Sequence, residues 1–120
     1  MEFKKTSAIY AQIAEYVGDN VLRKNWEADY RLPSIREMAV ALEVNPNTVA
    51  RTYAYLEEQG IIYTQRGIGY FVAKDAYKRV LAWRKKDFLQ NDLPAVFKMM
   101  SLLNISFSEL QILRGNYESK

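Results

Sequence analysis

The sequence contains no cysteine and no histidine among its 120 residues. Without cysteine the chain forms neither a disulfide framework nor a thiolate metal site, which is typical of proteins in a reducing cytoplasm. The absence of histidine and cysteine also removes the commonest general base and the thiol nucleophile of enzymes. No carboxylate pair, phosphate-binding loop or metal-ligand spacing stands out either. We therefore predict a protein that is not an enzyme and uses no metal or cofactor.

Long apolar runs are also missing. No segment approaches the roughly 20 apolar residues of a membrane span, and the N-terminal MEFKKTSAIY lacks the apolar region of a signal peptide. With 49% apolar and 13% aromatic residues the chain is able to build a core, and its length suits one domain with a short appendage. We expect a cytoplasmic protein without a membrane segment.

Positive charge is concentrated toward the C-terminus. Residues 75–120 carry 8 of the 17 basic side chains and 5 of the 14 acidic ones, so this part holds the excess behind the net charge of +3. The run RKK at 84–86 has two interpretations, contact with flanking phosphates or a solvated helix face. A basic balance is compatible with a nucleic-acid partner but does not locate a binding site.

Residues 31–60 hold two short helical patterns joined by a tight turn. Ser34 is a good N-cap for the first helix, and Glu37 follows at the spacing of a capping box. The second helix starts at Asn45 with proline in its first turn, and Gly60 is suited to end it. The first helix has one apolar stripe at helical spacing: Ile35, Met38, Ala39 and Leu42.

The rest of the chain adds helices and one hairpin. An amphipathic helix is predicted from Thr6 to about Lys24. Either Thr6 or Ser7 is suited to cap it. Its apolar stripe is Ile9, Ile13, Val17 and Val21. Ile61 to Lys74 reads as a β-hairpin around RGIG, and further helices are predicted over Asp75–Gln90, over Leu93–Asn104 and after a cap at Ser106. The fold class is therefore mainly α with a small β-hairpin.

The second helix of the 31–60 region has two distinct faces. At 100° per residue, its core side consists of Val49, Tyr53 and Leu56. Its opposite side is polar, with Asn47, Thr48, Arg51, Tyr55 and Glu58. Small hydrogen-bonding groups lie in the first turns, as a recognition helix requires if its front end is to enter a DNA major groove.

Neighbouring residues complete a winged helix-turn-helix. Arg36 is placed to reach a guanine edge or a phosphate, and the backbone N–H groups near Ser34 offer a phosphate site. The hairpin tip RGIGY, residues 66–70, is suited to the minor groove. Each feature alone also fits a plain cap, a solvated arginine or an ordinary turn, and GIG does not match a dinucleotide-binding motif. Their combination in this order favours DNA binding.

The region from Tyr10 to Val72 resembles the N-terminal domain of the GntR superfamily of bacterial transcription regulators. The matching residues are Tyr10, Gln12-Ile13, RLPSIREMA at 31–39, LEV at 42–44, NTVARTY at 47–53, LEEQGII at 56–62 and RGIGYFV at 66–72. NPNTV and the short C-terminal tail look most like the YtrA-type subfamily, whose members join a winged helix to a small helical dimerisation segment.

The resemblance implies roles for particular residues. Arg36 matches the family's base-reading arginine, and Thr48 and Arg51 match recognition-helix contacts. Together with the residues singled out above, the predicted DNA-binding set is Ser34, Arg36, Asn45, Pro46, Asn47, Thr48, Arg51, Arg66, Gly67, Gly69 and Tyr70. The chain departs from the common family pattern at Asn45-Pro46 for Ser-Arg, at Glu43 for glycine and at Tyr70 for threonine. These departures bear on which operator is read.

Residues 75–120 are too few for the ligand-binding or enzyme-like domains of larger relatives. Two or three amphipathic helices of this size cannot bury both faces alone, so we predict a DNA-binding domain at 1–74 and a helical dimerisation segment at 75–120. The predicted interface is Tyr77, Val80, Leu81, Phe88, Val96, Phe97, Met100 and Leu103. The alternative is that these helices pack on the winged helix of their own chain.

The predicted function is that of a bacterial repressor that binds double-stranded DNA. A homodimer would present the helix at 45–59 and the wing at 66–70 to both halves of a palindromic operator. The alternative is a winged helix used for protein–protein or RNA contact, which Tyr55 on the polar face keeps open. A steep salt dependence of duplex binding distinguishes the two. The sequence does not specify the operator, the regulated genes, the sign of regulation or whether a small-molecule effector exists.

Overall fold

The structure, a computed structural model, describes residues 9–119 and divides the chain into two compact units between Arg84 and Lys85. The elements in chain order are α1 (Ile9–Leu22), α2 (Ile35–Leu42), α3 (Pro46–Glu58), β1 (Ile62–Gln65), β2 (Gly69–Val72), α4 (Ala76–Asp87), a π-helical turn (Phe88–Asp92), α5 (Leu93–Leu103) and α6 (Phe107–Glu118). The predicted fold class is confirmed. The predicted caps at Thr6 and Ser7 lie outside the described residues.

The core of the first unit collects side chains from all its elements. The fully buried members from the helices and strands include Ile13, Val17, Met38, Val49, Tyr53, Leu56, Ile62 and Val72. Trp26 and Leu32, from the irregular segment before α2, are also buried, whereas Tyr30 is exposed and stacks on Trp26 at 5.4 Å. Ile9 is exposed, so the buried stripe of α1 begins one turn later than predicted.

Side-chain caps begin α2 and α3 where the sequence predicts them. The Glu37 N–H donates to Ser34 Oγ at 3.0 Å, and Glu37 Oε1 accepts from the Ser34 N–H at 2.8 Å, which closes the capping box. The hydrogen bond from the Ser34 N–H, and then that from its hydroxyl, lower the pKa of Glu37 below its ordinary value. Asn45 Oδ1 accepts from the Asn47 N–H at 2.8 Å, with Pro46 in the first turn of α3.

The end of α2 is set by a residue in a left-handed conformation. Glu43 adopts φ +56°, and its N–H donates to the carbonyls of Ala39 and Val40. Glycine is the usual residue at such a helix end because it carries no Cβ. The family commonly has glycine where this chain has Glu43. Glycine would adopt this backbone conformation without strain.

The wing is an antiparallel hairpin with an extended segment beside it. Strands β1 and β2 pair from Ile62 with Val72 to Gln65 with Gly69. The segment 29–32 adds main-chain hydrogen bonds to β2: the Leu32 N–H donates to Tyr70 O at 2.9 Å, and the Val72 N–H donates to Tyr30 O at 2.9 Å. This pairing brings the chain just before α2 against the wing.

The first turns of α4 belong to the core of the first unit. Ala76 and Val80 are fully buried there, and the Arg84 guanidinium pairs with the Asp19 carboxylate at 2.8 Å. The first unit therefore extends past the predicted boundary at residue 74, to Arg84. The prediction that Val80 faces a partner is wrong, because its side chain is buried within its own chain.

The second unit has no interior of its own. None of residues 85–119 is buried. Its exposed large apolar side chains are Phe88, Leu89, Val96, Phe97, Met99, Leu102, Leu103, Phe107, Ile112, Leu113 and Tyr117. Among the described helices of the whole chain, none combines the length and the apolar character needed to cross a membrane.

Two local features shape the second unit. The Leu93 N–H donates to Phe88 O, five residues back, in the turn just before Pro94. Pro94 has no N–H for the ordinary helical bond, which explains why the regular helix gives way to a wider turn here. Asn104, in a left-handed conformation, ends α5, and Ser106 Oγ accepts from the Glu109 N–H at 3.0 Å to begin α6.

Candidate nucleic-acid interface

Helix α3 separates a buried face from an exposed one. Val49, Tyr53 and Leu56 are each 0% exposed, so they fix the helix in the core. Asn47 and Arg51 are exposed and Thr48 is half-buried, all within its first two turns. The predicted division of α3 into a core face and a polar face is confirmed, and the Asn47 and Arg51 side chains at its front end are exposed.

Tyr53 fixes the orientation of α3 against its neighbours. Its hydroxyl donates to the carbonyl oxygen of Pro33, directly before α2, at 2.7 Å. Its ring meets Tyr70 of the wing edge-on, with the centroids 4.9 Å apart. Burial is the main cause that raises the pKa of Tyr53 far above its usual range, so the hydroxyl stays protonated and able to donate. One side chain thus joins α3, the entrance to α2 and the wing.

Thr52 is a buried polar residue that the sequence analysis missed. It is 0% exposed, and its hydroxyl donates to Thr48 O, one turn back, at 2.8 Å. That bond satisfies the hydroxyl inside the helix, so its burial leaves no polar atom without a partner. The position lies beside Tyr53 on the helix, and only the helical period marks it as a core neighbour.

Arg36 and Arg51 occupy different surroundings. Arg36, in the first turn of α2, is exposed, and within the described part of the chain it forms no ion pair. The Arg51 guanidinium lies over the ring of Tyr10 in α1, 5.7 Å from its centroid. This cation–π contact restrains the Arg51 side chain near α1 and reduces the rotamer freedom that it would lose on binding.

Arg31 holds the tip of the wing, a contact that the sequence analysis missed. Its Nη2 donates to the carbonyl oxygen of Ile68 at 2.6 Å. Gly69 has φ +154°, and a Cβ added there would lie 3.0 Å from Arg31 Nε. Glycine at 69 therefore leaves room for the guanidinium as well as supplying the backbone conformation. At Gly67, with φ +79°, an added Cβ would meet nothing within 4 Å.

The remaining predicted residues lie on the same unit in varied settings. Arg66 and Gly67 are exposed at the wing tip, whereas Tyr70 is half-buried because its ring rests on Tyr53. Ser34 and Asn45 are exposed and serve as helix caps. The arrangement thus consists of a capped helix front, an exposed arginine on α2 and a basic hairpin tip, which are chemically suited to phosphates and base edges.

The sequence model of a protein family, the bacterial regulatory proteins of the gntR family, matches residues 9–72, more than half of the chain. The chain belongs to the GntR family. The matched residues run from the start of α1 to the end of β2 and so contain the complete winged helix-turn-helix. The family consists of regulatory proteins, which confirms the prediction that the chain is not an enzyme.

Two GntR-type relatives come from Bacillus subtilis. The uncharacterized HTH-type transcriptional regulator YhcF is 36% identical over 109 residues, which are 91% of this chain and 88% of that protein. The HTH-type transcriptional repressor YtrA is 34% identical over 90 residues, 75% of this chain and 68% of that protein. The predicted resemblance to YtrA-like members of the family is confirmed.

Two solved structures compare with this chain over different lengths. A GntR-family regulator from Bacteroides thetaiotaomicron is 39% identical with a TM-score of 0.75 over 93% of this chain and 97% of that one. The DNA-binding domain of AraR, in complex with its operator ORE1, is 25% identical with a TM-score of 0.55. That match covers 61% of this chain and 89% of that domain. The first therefore includes the C-terminal helices as well as the winged helix.

Proposed function

We propose that this GntR-family chain is a cytoplasmic transcriptional repressor that binds a palindromic operator as a homodimer. The observation that carries the proposal is the division of α3. Its Val49, Tyr53 and Leu56 side is fully buried, while Asn47 and Arg51 remain exposed at the end that would enter a major groove. The name of YtrA as a repressor and the operator complex of the AraR domain support the same reading.

The proposed contacts divide between the two grooves and the phosphates. Helix α3 enters the major groove, where Asn47 and Thr48 face base edges and phosphates, and Arg36 and Arg51 are the long cationic donors. The N-terminus of α2 at Ser34 receives a phosphate. The wing lies along the minor groove with Arg66, and Gly67 and Gly69 allow close approach. Asn45, Pro46 and Tyr70 complete the proposed DNA-binding set.

The homodimer is supported by the lack of an interior in the second unit. Phe97 is 51% exposed and Leu103 is 59% exposed, although both are large and apolar. Covering such side chains with a second copy removes apolar surface from water and makes the two winged helices symmetric, as a palindrome requires. The proposed interface, with Val80 removed, is Tyr77, Leu81, Phe88, Val96, Phe97, Met100 and Leu103.

Fluorescence anisotropy with a duplex from the promoter upstream of the protein's own gene tests the proposal. Titration at several salt concentrations against a scrambled duplex should give sequence-selective binding of two chains per duplex that weakens steeply with salt. Binding of the two duplexes with equal affinity would contradict the operator reading. Absence of binding in low salt would favour the alternative, a winged helix used for protein or RNA contact. Tyr55, the aromatic residue on the polar face of α3, is half-buried and therefore offers less surface to a protein partner.

Removal of Arg36 or Arg51 should weaken operator binding. We expect Arg36→Ala or Arg51→Ala to cost about 1–3 kcal/mol of specific binding if the lost contact is bidentate to a base. Anisotropy with the operator duplex measures the loss, and circular dichroism checks that the fold is intact. Arg114→Ala, which removes an exposed arginine from α6, serves as the control. Full affinity of Arg36→Ala would disprove the assignment of that residue.

Substitution of Gly69 should destabilise the wing through Arg31. In Gly69→Ala the new Cβ displaces the Arg31 guanidinium and the backbone is strained, so we expect a loss of about 2–4 kcal/mol in urea unfolding. Gly67→Ala is the control because it has backbone strain without a contact, at about 1–2 kcal/mol. In an Arg31→Met background the cost of Gly69→Ala should shrink. Equal cost in both backgrounds would show that Arg31 is not the cause.

A further inference from the structure

A cavity of about 270 Å³ lies in the first unit where β2 leads into α4. Its walls come from the end of α1, the loop that follows, the end of β2 and the first turn of α4. The lining residues are Val21, Lys24, Trp26, Glu27, Ala28, Val72, Ala73, Lys74 and Tyr77. None of them belongs to the proposed DNA-binding set, and Tyr77 alone is shared with the proposed dimer interface.

The floor of the cavity is apolar, whereas the charged side chains of its lining are exposed. Val21, Trp26 and Val72 contribute side chains that are themselves 2%, 7% and 1% exposed, so the floor is part of the protein core. Tyr77 adds an aromatic wall from α4. Water over such a floor finds few hydrogen-bond partners, which favours its replacement by an apolar ligand group. The volume equals the space of about nine water molecules, which suits a ligand of about ten non-hydrogen atoms.

The charged groups of the lining leave one positive charge in excess. Lys24 and Lys74 are the cations and Glu27 is the only carboxylate. Within the described residues none of these three side chains forms an ion pair. The Lys24 ammonium lies 5.3 Å from the centroid of the Tyr77 ring, which places this charge beside the aromatic wall. Two ammonium groups and one carboxylate match a ligand with a single negative charge.

The backbone at Lys24 is unusual for a lysine. It adopts φ +63°, and its N–H donates to Val21 O at 3.1 Å. Glycine would take this conformation without strain, whereas a side chain there costs roughly 1–2 kcal/mol. The loop that it begins is held by the N–H groups of Asn25 and Trp26, which both donate to Asn20 O. These bonds make Lys24 the left-handed residue that ends α1, as Glu43 ends α2, and they fix the backbone of Lys24 at the rim of the cavity.

We propose that this cavity binds a small carboxylate with an apolar body, and that binding changes the affinity for the operator. The apolar body occupies the floor over Val21 and Val72, and the carboxylate lies between the Lys24 and Lys74 ammonium groups. The regulatory part rests on the proposed function. It follows from the lining, because a ligand that contacts both Val72 of the wing and Tyr77 of α4 favours one arrangement of that junction over others.

Trp26 provides a direct readout of binding, since Trp83 is the only other tryptophan. In a Trp83→Phe variant of the full chain, phenylacetate should change the Trp26 fluorescence with saturation. Phenylacetamide, which has the same shape but no charge, should bind at least about tenfold more weakly. Calorimetry on the unaltered protein repeats the comparison without the substitution. Equal affinity for the acid and the amide would overturn the carboxylate assignment.

Variants of the lining distinguish the cavity from other sites. Lys24→Met and Lys74→Met should each weaken phenylacetate binding by about tenfold, and Ala28→Phe should abolish it by filling the cavity from an exposed position. Lys78→Met, an exposed lysine of α4 outside the lining, should have no effect. The proposal is overturned if phenylacetate, benzoate and 4-methylpentanoate all fail to saturate below about 10 mM, a free energy near −3 kcal/mol.

The regulatory part has its own test. Operator anisotropy with saturating phenylacetate should shift by at least about fivefold, the lower end of ordinary coupling between two sites, and the Lys24→Met variant should lose the shift. A saturating ligand with unchanged operator affinity would overturn regulation and leave the binding site. If the protein binds no operator at all, the proposed function fails, whereas the Trp26 titration still decides whether the cavity binds a carboxylate.

Discussion

Phe97→Asp is expected to convert the proposed dimer into monomers and to weaken binding to a full operator by about a hundredfold or more. Phe97 lies in α5, is 51% exposed and belongs to a unit in which no residue from 85 to 119 is buried. A carboxylate at this position would have to leave water if a second copy covered it, and that desolvation opposes association. Analytical ultracentrifugation measures the first effect and anisotropy the second.

Two controls separate dimerisation from DNA contact. Lys98→Asp places the same side chain on the same helix at an exposed position that is already polar, so it should remain dimeric. A duplex with only one half of the palindrome should bind Phe97→Asp as well as the unaltered chain, because its α3 and wing are unchanged. A Phe97→Asp protein that still sediments as a dimer would place the interface elsewhere.

Tyr53→Ala is expected to lower the free energy of unfolding by about 3–5 kcal/mol, the usual cost of removing a large buried aromatic side chain. The ring is 0% exposed, packs edge-on against Tyr70 and carries the hydroxyl that donates to Pro33 O. The substitution leaves a cavity beneath α3 and an acceptor without its partner. Urea unfolding at a fixed protein concentration is the appropriate measurement, since the stability of the proposed dimer would depend on concentration.

Tyr53→Phe separates the two contributions. It keeps the ring and its packing on Tyr70 but removes the hydrogen bond to Pro33 O, and we expect it to cost about 1–2 kcal/mol. Its operator affinity should stay close to that of the unaltered chain if packing alone positions α3. Equal destabilisation by both variants would mean that the hydroxyl, rather than the ring, accounts for the effect of Tyr53.

Local features of the fold could be predicted because they depend on neighbours in the sequence. The Ser34 capping box needs only Glu37 three residues later, and the buried face of α3 follows from the helical period. The start of α3 at Asn45 and Pro46 depends on the conformational preferences of these two residues. The candidate recognition face was therefore visible before any tertiary contact was known.

Contacts between distant residues could not be predicted in this way. Arg31 reaches Ile68 O across 37 positions, and Tyr53 meets Tyr70 only because the wing folds back onto α3. The sequence identified Val80 as an apolar residue of a predicted helix, but it did not show which surface would cover it. The conformation of Lys24, and with it the cavity at the β2–α4 junction, depends on a loop that has no periodic pattern.

The burial of one face of α3 influences how such a regulator diverges after gene duplication. Because Val49, Tyr53 and Leu56 hold the helix, changes at the exposed Asn47 side chain should alter stability by no more than about 0.5 kcal/mol. A duplicated copy is therefore able to acquire a different operator preference without a compensating mutation in the core. Regulatory specificity and folding are, in this helix, traits on which selection acts separately.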